Sequence, residues 1–205
     1  MKHVFKKGTS NHTLILFHGT GGNENDLLQI GSFIDQDANI LSIRGQVLEH
    51  GMPRYFQRIQ EGVFDEEDLV YRTHELYQFI TEQAKVYDFD LNQLIGFGYS
   101  NGANILSSLI FHYPKLFKGA ILSHPMIPFK TFEVPILNDL HVFIGACMND
   151  PLIDIDESKA LKDIYENKQA KVNLYIGEHG HRISQEELKA FVSWYQTNIK
   201  KILNI

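Results

Sequence analysis

The stretch Leu94-Ile95-Gly96-Phe97-Gly98-Tyr99-Ser100-Asn101-Gly102 decides the reading of this chain. Leu94 to Phe97 is an apolar run suited to a buried strand, and it breaks at Gly98. From Asn101 to His112 the pattern turns helical, with Ile105, Leu106, Leu109 and Ile110 on one side. Between strand and helix stands Gly98-Tyr99-Ser100-Asn101-Gly102, a G-x-S-x-G match. A chain of this length yields that triplet by chance roughly 0.07 times. A serine on so tight a strand-to-helix turn points above the sheet edge, and flanking glycines remove the side chains that would crowd it. The helix from Asn101 aims free N–H groups and a positive dipole end at the same place. Ser100 is therefore the candidate nucleophile.

Outward from this turn the chain alternates strands and helices. Strands are expected at Thr13–Phe17, Asn39–Ile43, Lys118–Leu122, His141–Ala146 and Lys171–Ile176. Helices are expected at Asn23–Asp35, Glu66–Tyr87, Asp156–Gln169 and Ser184–Ile202, the last opening on a capping box, Ser184-x-x-Glu187. Arg44 to Gly62 reads as an irregular loop. Such alternation predicts an α/β fold with a mostly parallel central sheet and helices on both faces. Ligands in such sheets sit at the carboxyl ends of the strands.

The 205 residues form one expected domain, residues 1–205, with no repeat or linker. The single cysteine excludes an intrachain disulfide framework and a Cys-rich metal site. The net charge of −6 argues against a nucleic-acid partner. No apolar run reaches the ~18 residues of a membrane span, so no stable membrane anchor is expected. Met1 to Lys7 is basic but leads into no signal-peptide core, which makes the cytoplasm the expected location.

A serine nucleophile needs an imidazole base, an orienting carboxylate and backbone N–H donors for the oxyanion. The donors are assigned to Thr20, in His18-Gly19-Thr20-Gly21-Gly22 after the first strand, and to Asn101. Of ten histidines, position must choose the base. His112 lies in the helix after the nucleophile, and His141 begins a strand at the opposite sheet edge. His124 follows a strand at the right edge but precedes any suitable acid, against the chain order Ser, acid, His. His181, in Gly177-Glu178-His179-Gly180-His181, lies past the last strand and is the choice, with His179 in reserve. A metal site on this H-x-H pair lacks a further visible ligand, so no metal is expected. Asp150, just past His141–Ala146 and before Pro151, is the acid. Asp156 reads as a helix cap, and Cys147 as a small buried apolar residue.

On these residues the chain resembles the compact α/β-hydrolases of the carboxylesterase/phospholipase family, which includes acyl-protein thioesterase-like enzymes. The likeness spans nearly the whole chain. It is carried by Leu16 to Gly22, Gly96 to Gly102, Asn149-Asp150-Pro151 and Gly180-His181. Arg44-Gly45, Gly51-Met52-Pro53-Arg54-Tyr55-Phe56 and Glu61-Gly62-Val63-Phe64-Asp65 look like the short bacterial esterases of that family. The resemblance implies an α/β-hydrolase fold with no large cap domain, serine ester hydrolysis, no cofactor and frequent homodimers. It assigns the triad to Ser100, Asp150 and His181. Where the family often reads Asp-Pro-x-Val-Pro, this chain has Asp150-Pro151-Leu152-Ile153-Asp154, which puts an extra carboxylate near the pocket rim. The pocket walls are assigned to the bulky loop residues Met52, Phe56, Phe64, Met126 and Leu152. The expected substrate is a small-molecule acyl ester. Thioesters or lysophospholipids on the same triad, and a non-catalytic ligand-binding homologue, are the alternatives.

Overall fold

The computed structural model describes residues 1–203. The last two residues of the expected 1–205 domain lie outside the described residues. Its strands are β1 (His3–Lys6), β2 (Thr13–Phe17), β3 (Asn39–Ile43), β4 (Val47–Glu49), β5 (Met52–Arg54), β6 (Arg58–Gln60), β7 (Val63–Phe64), β8 (Leu94–Tyr99), β9 (Gly119–Ser123), β10 (His141–Cys147) and β11 (Lys171–Gly177). The helices are α1 (Leu28–Ile34), α2 (Glu66–Tyr87), α3 (Asn101–His112), α4 (Ile155–Asn167), α5 (Gln185–Trp194) and α6 (Lys200–Leu203). Seven strands form the central sheet in the order β1-β3-β2-β8-β9-β10-β11. All neighbours are parallel except β1, which runs antiparallel along β3.

Strand period explains the two layers. Ile15 and Phe17 of β2 point into the core roofed by α2, α3 and α4, whereas Leu14 and Leu16 point into the one roofed by α1 and α5. α3 is buried on nearly every side. Its polar positions survive there because Ser107 bonds the Tyr165 hydroxyl at 2.6 Å and Ser108 bonds Thr73 at 2.6 Å.

Four elements depart from the sequence expectation. Strand β1 was not anticipated: four residues are too few for a period, and its place is set by the open edge of β3 and by Phe5 stacking on Tyr87 at 4.1 Å. Helix α1 starts at Leu28 rather than Asn23. Asn23 and Asp26 instead bond each other, and the Asn23 side chain accepts from the Asn25 N–H, an alternative to helical bonding. The loop expected from Arg44 to Gly62 folds into hairpin β4–β5 and the first strand of hairpin β6–β7. His50 and Gly51, at φ 51° and 80°, make the tight turn of the first. The last helix is interrupted by a π turn at Tyr195–Ile199 before α6. Both hairpins lie beside the strand ends, and no large cap domain is present among the described residues.

Candidate active site

The turn between β8 and α3 holds Ser100 at φ 52° and ψ −117°, a left-handed backbone that a non-glycine residue adopts only under constraint. The Ser100 N–H donates to the Ser123 carbonyl at 2.8 Å, fixing the turn to the end of β9. The glycines are required by contact. A Cβ on Gly102 would lie 2.0 Å from the Phe17 carbonyl oxygen, and one on Gly98 would lie 2.4 Å from the Gly102 carbonyl oxygen.

The loops after β10 and β11 bring Asp150 and His181 to this serine. Ser100 Oγ–H donates to His181 Nε2 at 2.9 Å, and His181 Nδ1–H donates to Asp150 Oδ2 at 2.8 Å. His179, the reserve, does not reach Ser100; its Nε2 packs over Gly177, 3.5 Å from Glu187. Asp150 Oδ1 accepts from the N–H groups of Leu152 (2.9 Å) and Ile153 (3.2 Å). Burial would raise the Asp150 pKa, but these donors and the two imidazoles hold it below the usual carboxylate value. The Tyr99 hydroxyl donates to the His181 carbonyl at 2.9 Å. Burial beside Asp150 and Glu187 pushes its pKa up to about 12, so it stays a donor at neutral pH.

A second histidine meets the acid. His124, set aside as a base because of its place in the chain, donates from Nδ1 to Asp150 Oδ2 at 2.8 Å. Its Nε2 faces the Arg182 carbonyl (3.1 Å) and Glu187 Oε2 (3.3 Å). Glu187 is fully buried and also accepts from Ser123 Oγ at 2.6 Å. The expected capping box is thus half made. Ser184 Oγ accepts from the Glu187 N–H, but the Glu187 side chain turns into the core instead of back to Ser184. Burial alone would lower the His124 pKa; the Glu187 and Asp150 carboxylates outweigh it and raise it. The fold splits the H-x-H pair between two clusters, His124, His179 and Glu187 in one and His124, Asp150 and His181 in the other, each with ligand atoms within 4.8 Å of one another. His124 Nε2 faces a carbonyl oxygen, however, and so carries a proton rather than a free lone pair.

The oxyanion candidates flank the serine. Asn101 begins α3, where an N–H has no carbonyl one turn back. Thr20 lies on the loop after β2, which hairpin β4–β5 holds: Gly21 N–H donates to Pro53 O at 2.9 Å, and Arg54 Nη1 donates to Thr20 Oγ1 at 3.1 Å. The Tyr55 hydroxyl accepts from the His18 N–H and donates to Ile43 O, while the Tyr55 N–H donates to Asn101 Oδ1.

Thr20, Ser100, Asn101 and His181 line one cleft of about 280 Å³. Of the five wall candidates, Phe64, Met126 and Leu152 line it too. Phe56 does not: it is fully buried in the core against Phe64. Met52 lies over Gly21, outside the cleft lining. Arg54 and Arg58 line the cleft instead. Their polarity hid them from a search for apolar walls. Asp154 caps α4 through the Asp156 N–H, so the cap expected at Asp156 lies two residues earlier. Cys147 is buried as expected, and its sulfur accepts from the N–H groups of His179 and Gly180.

Comparison with known proteins places these features in context. Residues 3–199 match the phospholipase/carboxylesterase family. MhqD of Bacillus subtilis (strain 168) is 51% identical over 199 residues, covering 97% of this chain and all of that protein. The crystal structure of the Bacillus cereus carboxylesterase is 48% identical with a TM-score of 0.95, covering 97% of this chain and 95% of that one. The structure of YahD with malic acid is 32% identical with a TM-score of 0.91, covering 96% and 98%.

Proposed function

The chain belongs to the phospholipase/carboxylesterase family of α/β-hydrolases, and from that premise we propose that it is a serine carboxylesterase acting on small acyl esters. The observation that carries the reading is the continuous hydrogen-bond line from Ser100 Oγ through His181 to Asp150, opening on a cleft. The nearby carboxylesterase of Bacillus cereus supports the ester class. The malic acid of YahD is small, in keeping with small substrates.

In this reading Ser100 Oγ attacks the ester carbonyl carbon while His181 Nε2 takes its proton. Asp150 holds the imidazole in the tautomer with hydrogen on Nδ1 and stabilises its charged form. The N–H groups of Thr20 and Asn101 bind the oxyanion, on a loop and a helix start that do not need to reorganise. His181 returns the proton to the leaving alcohol, which departs and leaves Ser100 acylated. A water then attacks the acyl carbon while the same imidazole takes its proton, and that proton passes to Ser100 Oγ as the Oγ–acyl bond breaks and the acid leaves.

The test is hydrolysis of p-nitrophenyl acetate by wild type and Ser100→Ala, with fluorophosphonate labelling. Wild type should label at Ser100, and the variant should lose about 10³-fold or more of kcat. Equal rates, or labelling at another residue, sink the reading.

A further inference from the structure

The cleft beside Ser100 carries two guanidinium groups that ester hydrolysis does not require. Arg54 ends β5, and its side chain is only 4% exposed. It donates from Nη1 to Thr20 Oγ1 (3.1 Å) and Glu49 Oε2 (3.4 Å), and from Nε to the Phe56 carbonyl (3.3 Å). Arg58 begins β6, and its Nε donates to the other Glu49 oxygen at 2.9 Å. One carboxylate therefore serves two cations. Among the described residues, neither Nη of Arg58 nor Nη2 of Arg54 has a hydrogen-bond partner. Arg54 Nη2 is not among the fully enclosed unpartnered polar atoms, so it remains reachable from outside, and a second carboxylate in the cleft that both arginines line could pair with it. Glu61 does not supply it: it also lines the cleft, but it is exposed at the rim and forms no ion pair with either arginine.

We infer that Arg54 and Arg58 bind a carboxylate carried by the substrate, so that the preferred esters are small and anionic, half-esters of dicarboxylic acids being the simplest. The inference rests on the esterase reading and narrows its substrate. The planar N–H fork of arginine matches a carboxylate with two parallel bonds, which lysine cannot do. Position agrees with chemistry. Arg54 is one hydrogen bond from Thr20, whose N–H is assigned to the oxyanion, so the bound carboxylate lies a few bonds from the reacting carbonyl. The cleft volume, about 280 Å³, suits a molecule of that size.

The decisive measurement is kcat/KM for monoethyl glutarate and for ethyl valerate, which differ by a carboxylate in place of a methyl group. Their ratio within each protein cancels any loss of folded enzyme. Wild type should favour the charged ester by about ten- to a hundredfold, the worth of one charged hydrogen-bonded contact. Arg58→Gln should lose most of that ratio, and Arg58→Lys should retain part of it. Calorimetric titration of glutarate into Ser100→Ala, with and without Arg58→Gln, reads the subsite without turnover. Arg58-dependent binding with no ester hydrolysis would leave the subsite standing and remove the esterase reading. Hydrolysis without preference for the charged ester, together with no Arg58-dependent glutarate binding, would overturn the subsite and leave the esterase reading intact.

Discussion

His124 and His181 donate to the same oxygen of Asp150, each at 2.8 Å. Their rings lie 5.1 Å apart. His124 has acceptors at both nitrogens: a carboxylate at Nδ1, a carbonyl and a second carboxylate at Nε2. A neutral ring would turn a lone pair toward one of them, so the geometry selects the imidazolium. The groups around it are Asp150, Glu187, His181, His179 and Tyr99. Below its raised pKa, His124 therefore puts a positive charge beside the proposed base, on the same carboxylate.

The His124 ring should matter to catalysis through the carboxylate it shares: it helps to fix the Asp150 oxygen on which the proposed base is hung. Replacing His124 with Asn keeps a polar group and removes that ring. Losing one hydrogen bond to a charged group should lower kcat for p-nitrophenyl acetate about ten- to a hundredfold, with KM nearly unchanged. A variant with wild-type kcat would show His124 to be a packing residue only.

Stability carries a separate signature of the same ion. His124 has a raised folded-state pKa, so its contribution is fully present below the ordinary histidine value and is lost as pH rises through the raised one. Glu187→Gln removes the main cause of the rise and leaves burial to lower the pKa. The Tm advantage of wild type over Glu187→Gln should therefore be larger at pH 6 than at pH 9, by about 2–4 °C for each kcal/mol of lost linkage in a chain of this length. Parallel Tm curves across that range would contradict the assignment of the proton to His124.

Legibility followed how local each signal is. The G-x-S-x-G turn, the strand before it and the full extent of α2 and α3 are written in contiguous residues, and the structure has them where the pattern put them. Ser100, Asp150 and His181 could be brought to one edge on paper because parallel strands deliver their ends to one place. His124 was noticed at that edge too. Asking for a single base by chain order removed it, and nothing local says that an acid has a second imidazole on it. Glu187 misled for a related reason: its capping pattern is local, whereas the pull of Ser123 and His124 is tertiary. The arginines went unread because hairpins β4–β5 and β6–β7 look, in sequence, like loop.

The Tyr55 hydroxyl ties the loop of Thr20, the proposed oxyanion donor, to the sheet, and it is buried. Tyr55→Phe keeps the ring and strands two groups, the His18 N–H and the Ile43 carbonyl. The expected cost is about 1–3 kcal/mol of stability, read by urea unfolding. The loop carrying Thr20 should also loosen, lowering kcat more than it raises KM, because the oxyanion forms only after binding. A stable variant with unchanged kcat would show that the loop is held by Arg54 and Pro53 alone.

Asp150→Asn is harsher than a loss of charge. The carboxylate accepts four hydrogen bonds: two imidazole N–H groups on Oδ2, and the Leu152 and Ile153 N–H groups on Oδ1. An amide has one acceptor oxygen. If that oxygen faces the histidines, its NH2 group meets two backbone donors; if it faces the backbone, the NH2 group meets both imidazoles and His181 is pushed toward the wrong tautomer. Either orientation sets donors against donors. The variant should lose about 10³- to 10⁴-fold in kcat and should also label slowly with fluorophosphonate. Its Tm should fall further than that of Ser100→Ala, which disturbs one part-buried hydrogen bond. Asp150→Asn with wild-type stability and only a modest loss of rate would remove Asp150 from the acid role and reopen the search on the neighbouring carboxylate, Glu187.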